Sequence, residues 1–260
     1  MLVIGLAAPV VSVVDQDLAP VAGAIAGVWI FFGRTILQFL QAAKTTAAAA
    51  TQELFDFYVF GMPSTVQRST VPSVETIAEF AGPDGKIDEA ARKQKLLAWY
   101  PFRDQDAGVV SVAVAQRANA SYTDRLLQST VTTWAILTTV WVIALVGVGV
   151  AAELSLGKIL VGVLMPVLPA FLDVVEYVLG IQKSKKLRRD LVRTIEERLR
   201  ETSRPVEPTE LLVWQDTLYD LRRTTPQVPN FVYWLHRKKN KQAMESAAAQ
   251  IGDEVNGGNP

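Results

Sequence analysis

The sequence predicts an all-α integral membrane protein with two transmembrane helical hairpins and helical segments between and after them. Half of its 260 residues are hydrophobic, and its 26 Lys plus Arg balance its 26 Asp plus Glu, but the charges are unevenly placed. Residues 1–33 hold no cation and only two acids, Asp15 and Asp17, while residues 126–152 hold no charge at all. That second desert exceeds the ~20 residues needed to cross a hydrocarbon core. Of the 26 cations, 10 lie in 34–125 and 15 in 183–241, so the positive-inside rule puts both blocks and both termini on the cytoplasmic side.

The apolar runs predict spans at about 1–14, 18–34, 131–152 and 159–180. The first falls short of the ~17 residues that cross comfortably, so it is either tilted and thin-spanning or preceded by sequence upstream. Runs of ~10–14 apolar residues also occur as buried helices of soluble proteins, but spans three and four are too long and too free of charge for that. The chain thus divides into a first hairpin (1–34), a helical region (35–128), a second hairpin (129–182), a helical C-terminal region (183–250) and a flexible tail (251–260). The absence of cysteine excludes disulfides, Cys-ligated metals and thiol nucleophiles, and a single histidine, His236, excludes multi-His metal sites. No cofactor is expected, and zero net charge gives no whole-protein field to attract DNA or RNA.

Span two is predicted to run on as a helix to Phe60, with Leu37, Leu40, Leu54 and Phe55 apolar around a polar face, until Gly61-Met62-Pro63 stops it. After a loop, Ser73 can cap a short helix to Phe80. Gly82-Pro83-Asp84-Gly85 reads as a turn. Helix resumes over about 88–100, and another from about Ala107 leads into span three. Beyond span four, Leu187, Leu191, Ile195 and Leu199 form one apolar stripe, with Lys183, Lys185, Lys186, Arg188 and Arg189 at headgroup level, either as positive-inside anchors or for specific lipid or nucleotide recognition. Pro208 can open the next helix, in which Leu211, Trp214, Leu218 and Leu221 form a stripe and Gln215, Tyr219 and Arg222 a polar face.

Arg117 and Asp124, seven apart, share a helix face to within about 20°; they are either an ion pair or interhelical brace, or part of a ligand-contacting cluster with Asn119. Gln215, Asp216, Tyr219 and Arg222 offer the amide, carboxylate, aromatic and guanidinium groups that read, stack on and pair with a nucleotide, although such groups also join helices. Asp173 lies about 6 Å beyond the middle of span four. With Glu176 it should face the bundle or a water path, as a pore-lining pair or as a structural pair meeting Lys183, Lys185 or the Gln116/Arg117 region. Pro166 and Pro169 interrupt the hydrogen-bond ladder there and predict a kink that could gate. Gly23 and Gly27 permit close helix approach.

The segments Leu54-Phe55-Asp56, Gly61-Met62-Pro63, Trp99-Tyr100-Pro101, Gln116-Arg117-x-Asn119, Asp124-Arg125-Leu126, Gln215-Asp216-x-Leu218-Tyr219-x-x-Arg222 and Val228-Pro229-Asn230-Phe231-Val232-Tyr233 resemble, in this order, the four-transmembrane effector domain associated with SMODS nucleotidyltransferases. The family pattern has Cys at Phe57 and Ala115, Trp at Ser64 and Asp at Asn230. The resemblance implies a non-enzymatic effector in the bacterial inner membrane, functionally linked to a nucleotidyltransferase in a CBASS antiphage system. It would sense a cyclic oligonucleotide, disrupt the lipid bilayer and cause abortive infection. One protomer of four spans is too small to enclose a wide pore, so homo-oligomerisation on activation is expected. A non-conducting anchor or scaffold for a cytoplasmic partner, or a small transporter, are the alternatives.

Overall fold

The computed structural model describes residues 19–63, 68–93, 100, 108–151, 153, 155, 157, 165–201 and 203–257. The span at 1–14, the Asp15/Asp17 turn, Trp99 and Pro101 lie outside them. All regular structure among the described residues is helical: α1 (Ala19–Phe32), a π-helical turn (Gly33–Leu37), α2 (Gln38–Phe60), α3 (Val74–Ala81), α4 (Asp84–Lys93), α5 (Val109–Ala151), α6 (Met165–Arg200), α7 (Pro208–Thr224) and α8 (Asn230–Gly257). Helical structure is continuous from 19 to 60, as the lack of Pro and Gly after Gly33 dictates, but the π turn is not foreseen. Thr35 Oγ1 donates to the Phe31 carbonyl within it. Among the described residues one helix, the 43-residue α5, is long and apolar enough to cross a membrane.

The chain divides into two compact units. The first holds 1–43, 128–183 and 226–228, the second 44–127, 184–225 and 229–260. In the first unit the large apolar side chains point outward: Val28, Phe31, Ile136, Val140, Ile143 and Phe171 are all exposed. Such a surface is unfavourable in water and suits hydrocarbon. Its internal contacts are few and specific. The Trp134 and Tyr177 rings meet edge to face at 5.9 Å, Tyr177 Oη donates to the Gln227 carbonyl at 2.6 Å, and Pro226 packs where Gly180 leaves room.

The second unit has a conventional core of Val112, Ala113, Leu191, Ile195, Leu199, Leu211, Trp214, Leu218 and Leu221. The α7 stripe is as predicted. In α6 the stripe is Leu191, Ile195 and Leu199, whereas Leu187 is exposed: a spacing of four drifts about 40° per step on a helix of 3.6 residues per turn, which carries Leu187 off the face. Lys185 and Arg188 fall on that face instead and are buried, so only Lys183, Lys186 and Arg189 remain as exposed cations of that cluster. Glu207 and Glu210 form a reciprocal capping box with Pro208 at the first turn of α7. Arg198 ties the preceding loop down, donating to Glu210, Arg204 O and Pro205 O; this arginine lowers the Glu210 pKa.

Two boundaries move. Asp84 and Gly85 are the first turn of α4 and not part of the turn, because Gly82, at φ 78°, closes α3 by donating to Ala78 O. The tail expected to be flexible from 251 is helical to Gly257, since Ala248 packs into the core and the Ala-rich stretch before it favours helix. Ser73 caps α3 as predicted, accepting from the Thr76 N–H at 3.3 Å. Ser73→Ala should weaken this eight-residue helix by about 1 kcal/mol, read as roughly fivefold faster amide exchange at residues 76–78; unchanged exchange would show that the cap is not holding the helix.

Candidate functional site

The Ala-rich α2 turns its polar face inward. Ala49, Ala50, Glu53, Asp56 and Phe57 are buried, while Leu37, Leu40, Leu54 and Phe55, predicted as its apolar side, are exposed. Glu53 and Asp56, three apart on one face, can be buried only because cations and donors from the rest of the second unit meet them. Asp56 is the hub. Its Oδ1 accepts from Tyr100 Oη at 2.5 Å, and its Oδ2 accepts from Gln215 Nε2 at 2.8 Å and lies 2.7 Å from Arg222 Nη1. Asn119 Nδ2 donates to the same Tyr100 oxygen, and Gln116 Nε2 donates to both Leu211 O and Gln215 Oε1. Burial and the Asp56 charge raise the Tyr100 pKa, so this phenol stays a neutral donor. Gln116→Ala should cost about 1–3 kcal/mol, because it orphans the buried Gln215 amide oxygen; urea unfolding followed by circular dichroism checks it, and a change below 0.5 kcal/mol would contradict the wiring.

The cationic side is in surplus. Arg222 touches Asp56, yet among the described residues none of its three guanidinium nitrogens makes a directed hydrogen bond, and its side chain is only 10% exposed. Arg188 is buried close by, donating to Thr225 Oγ1 at 2.8 Å and Leu221 O at 3.2 Å. Burial first, and the Arg222 charge second, push the Arg188 pKa down to about 10. Lys185, also buried, is lowered by burial and by Arg189. Chemically the two neighbouring buried guanidinium groups, Arg222 and Arg188, make a donor-rich setting in which an anion binds favourably.

A second constellation is built on Arg68. Its guanidinium donates to both carboxylate oxygens of Glu53 at 2.9 and 3.0 Å and to Asp216 at 2.5 Å, and it covers the Tyr219 ring at 3.9 Å. The hydrogen bonds to Glu53 raise its pKa despite partial burial. A planar cation thus occupies the aromatic face that the sequence offers for base stacking.

The predicted residues therefore sort into groups. Asn119, Gln215 and Arg222 gather around Asp56, and Asp216 and Tyr219 around Arg68. Arg117 and Asp124 do not pair with each other: Arg117 meets Glu196 at 2.6 Å, and Asp124 meets Arg189 at 3.2 Å. They are two rungs bracing α5 to α6. In the first unit Asp173 and Glu176 both meet Arg34, at 2.5 and 3.2 Å, and not the Lys183, Lys185 or Gln116/Arg117 partners expected. Pro166 and Pro169 lie in the first turns of α6 as described, where the missing N–H of Pro166 breaks no bond within this helix. A Cβ at Gly27 would meet nothing within 4 Å among the described residues of this chain. An apolar pocket of about 410 Å³ between Val59, Met62, Val109, Val112 and Leu211 contains none of the predicted site residues.

Asp56, Arg68 and Tyr100 are missed by residue-by-residue nomination, and Arg188 is nominated only among the cations at headgroup level. Asp56 and Tyr100 do sit in the recognised segments, and the period of α6 places Arg188 on its buried face. A family profile described as the SMODS-associating 4TM effector domain matches residues 1–251. No curated protein and no solved structure matches the chain.

Proposed function

Since the chain belongs to the SMODS-associating 4TM effector domain family, we propose that it is an inner-membrane effector of cyclic-oligonucleotide antiphage signalling. The first unit carries two transmembrane hairpins with both termini inside, and the second unit senses the nucleotide. Binding drives oligomerisation and permeabilisation of the bilayer, and so abortive infection. The observation that carries the sensing role is Arg222, nine-tenths buried and answered among the described residues by the Asp56 carboxylate, beside a second buried guanidinium, Arg188. Phosphates of a cyclic nucleotide would supply the missing acceptors. Gln215 and Asn119 would reach a base edge only by leaving the Asp56 network, and Tyr219 becomes a stacking surface if Arg68 swings away. Arg117 and Asp124 act through the α5–α6 brace.

The test is dye leakage from proteoliposomes given a panel of cyclic di- and trinucleotides on the face that bears the second unit. One nucleotide should trigger leakage and raise the unfolding temperature of wild type. Arg222→Ala and Arg188→Met should both insert normally and lose at least about tenfold in response, the size expected when a charge-assisted contact worth about 1.4 kcal/mol or more is lost. Arg188→Met should in addition unfold at or above the wild-type temperature without nucleotide, because it relieves a buried, poorly compensated charge. Variants responding at wild-type concentrations would overturn the site. No leakage with any nucleotide, from folded and inserted protein, would overturn the effector reading in favour of a scaffold.

A further inference from the structure

The helix α8 is built inside out at its start. Val232, Arg237 and Asn240 are buried, whereas Phe231, Trp234 and Leu235 are exposed by 54%, 48% and 72%. Phe231, Trp234, Leu235 and Lys238 are spaced i, i+3, i+4, i+7, which makes one stripe on the outward face, and Lys238 and Lys239 are both exposed beside it. From 226 to 244 the chain carries Arg237, Lys238, Lys239 and Lys241 and no acid. An outward aromatic stripe flanked only by cations is unfavourable in water and matches the boundary of an anionic bilayer, where Trp, Phe and Leu enter the acyl edge and lysines reach the headgroups.

Covalent continuity limits how far that stripe can lie from residues 226–228. Pro226 and Gln227 belong to the first unit, where Pro226 packs over Gly180 and the Gln227 carbonyl accepts from the Tyr177 hydroxyl. Phe231 follows Val228 by three residues, so it cannot lie more than about 11 Å from it even with the chain extended. Tyr177, paired with Trp134, is the kind of ring found at the hydrocarbon boundary, and Lys183 follows six residues later.

We propose that the first three turns of α8 form an interfacial anchor that docks, through Phe231, Trp234 and Leu235 with Lys238 and Lys239, on an anionic lipid surface. This rests on the chain's membership in a membrane family and not on nucleotide sensing, so failure of the leakage test leaves it standing. The protein has no cysteine, and a single introduced thiol therefore reports alone. The full chain carrying Leu235→Cys or, as control, Gln250→Cys is labelled with an environment-sensitive fluorophore. It is then reconstituted in phosphatidylcholine vesicles with or without about 30% phosphatidylglycerol, a content chosen to give the surface negative potential.

With the anionic lipid, the label at 235 should shift to the blue and be quenched by shallow spin-labelled lipid several times more than the label at 250. Lys238→Gln and Lys239→Gln should each lower the docked-to-undocked ratio about fivefold, with insertion by carbonate extraction unchanged. A label at 235 that stays in water in both lipids would overturn the proposal. So would one shielded from water yet untouched by the lipid quencher and cross-linking to a second copy, which would assign the stripe to a protein interface.

Discussion

Asp56→Ala should lower the unfolding free energy of the second unit by about 3–5 kcal/mol, the cost of leaving a buried cation without its counter-charge. The carboxylate holds Tyr100, Gln215 and Arg222 at once, and its loss strands Arg222 next to an already depressed Arg188. The double variant Asp56→Leu with Arg222→Met should regain most of that loss, because replacing both members of a buried pair by apolar groups of similar volume is often close to neutral. Denaturant unfolding of all three proteins in the same detergent decides this. A loss below about 1 kcal/mol for Asp56→Ala, or no recovery in the double variant, would mean that Asp56 is not the hub described.

The second large effect concerns Arg34. It pairs with both acids of α6 in the first unit and offsets one of their two charges, and Arg34→Ala leaves both uncompensated. A lone carboxylate at the centre of a span costs about 2.5–3.5 kcal/mol on insertion scales and less towards its ends. The inserted fraction of Arg34→Ala should therefore fall severalfold in vesicles, and Asp173→Asn with Glu176→Gln should restore it. Wild-type insertion of Arg34→Ala with both acids intact would show that they face water, which is the pore-lining alternative.

The contrast between α7 and α2 shows how much of the fold can be read from residues alone. In α7 the four large apolar residues recur at 3 and 4, so burial energy and periodicity agree and both the stripe and the polar face are legible. In α2 the inward residues are two alanines, two acids and a phenylalanine; alanine carries almost no signal, and acids read as solvent-facing unless their partners are known. Those partners come from as far away in sequence as Gln215 and Arg222. The same distance hides Arg34 behind its 139-residue separation from Asp173. Long-range charge pairing leaves no periodic trace, and so Asp56, Arg188 and Arg34 become visible only once the chain is folded. The resemblance of the quoted segments to an effector family is borne out by the match over 1–251; it supplies the family, which periodicity cannot.

Arg34 sits within the π-helical turn Gly33–Leu37, a turn that holds one residue more than its α-helical neighbours would. Five residues of a π turn sweep nearly the angle of about four α-helical ones, so the extra residue is absorbed locally and the helices on either side stay in phase. Deleting one residue there would restore a regular α-helix with both flanks facing as before. The turn thus places Arg34 without rotating the helix that precedes it against the helix that follows.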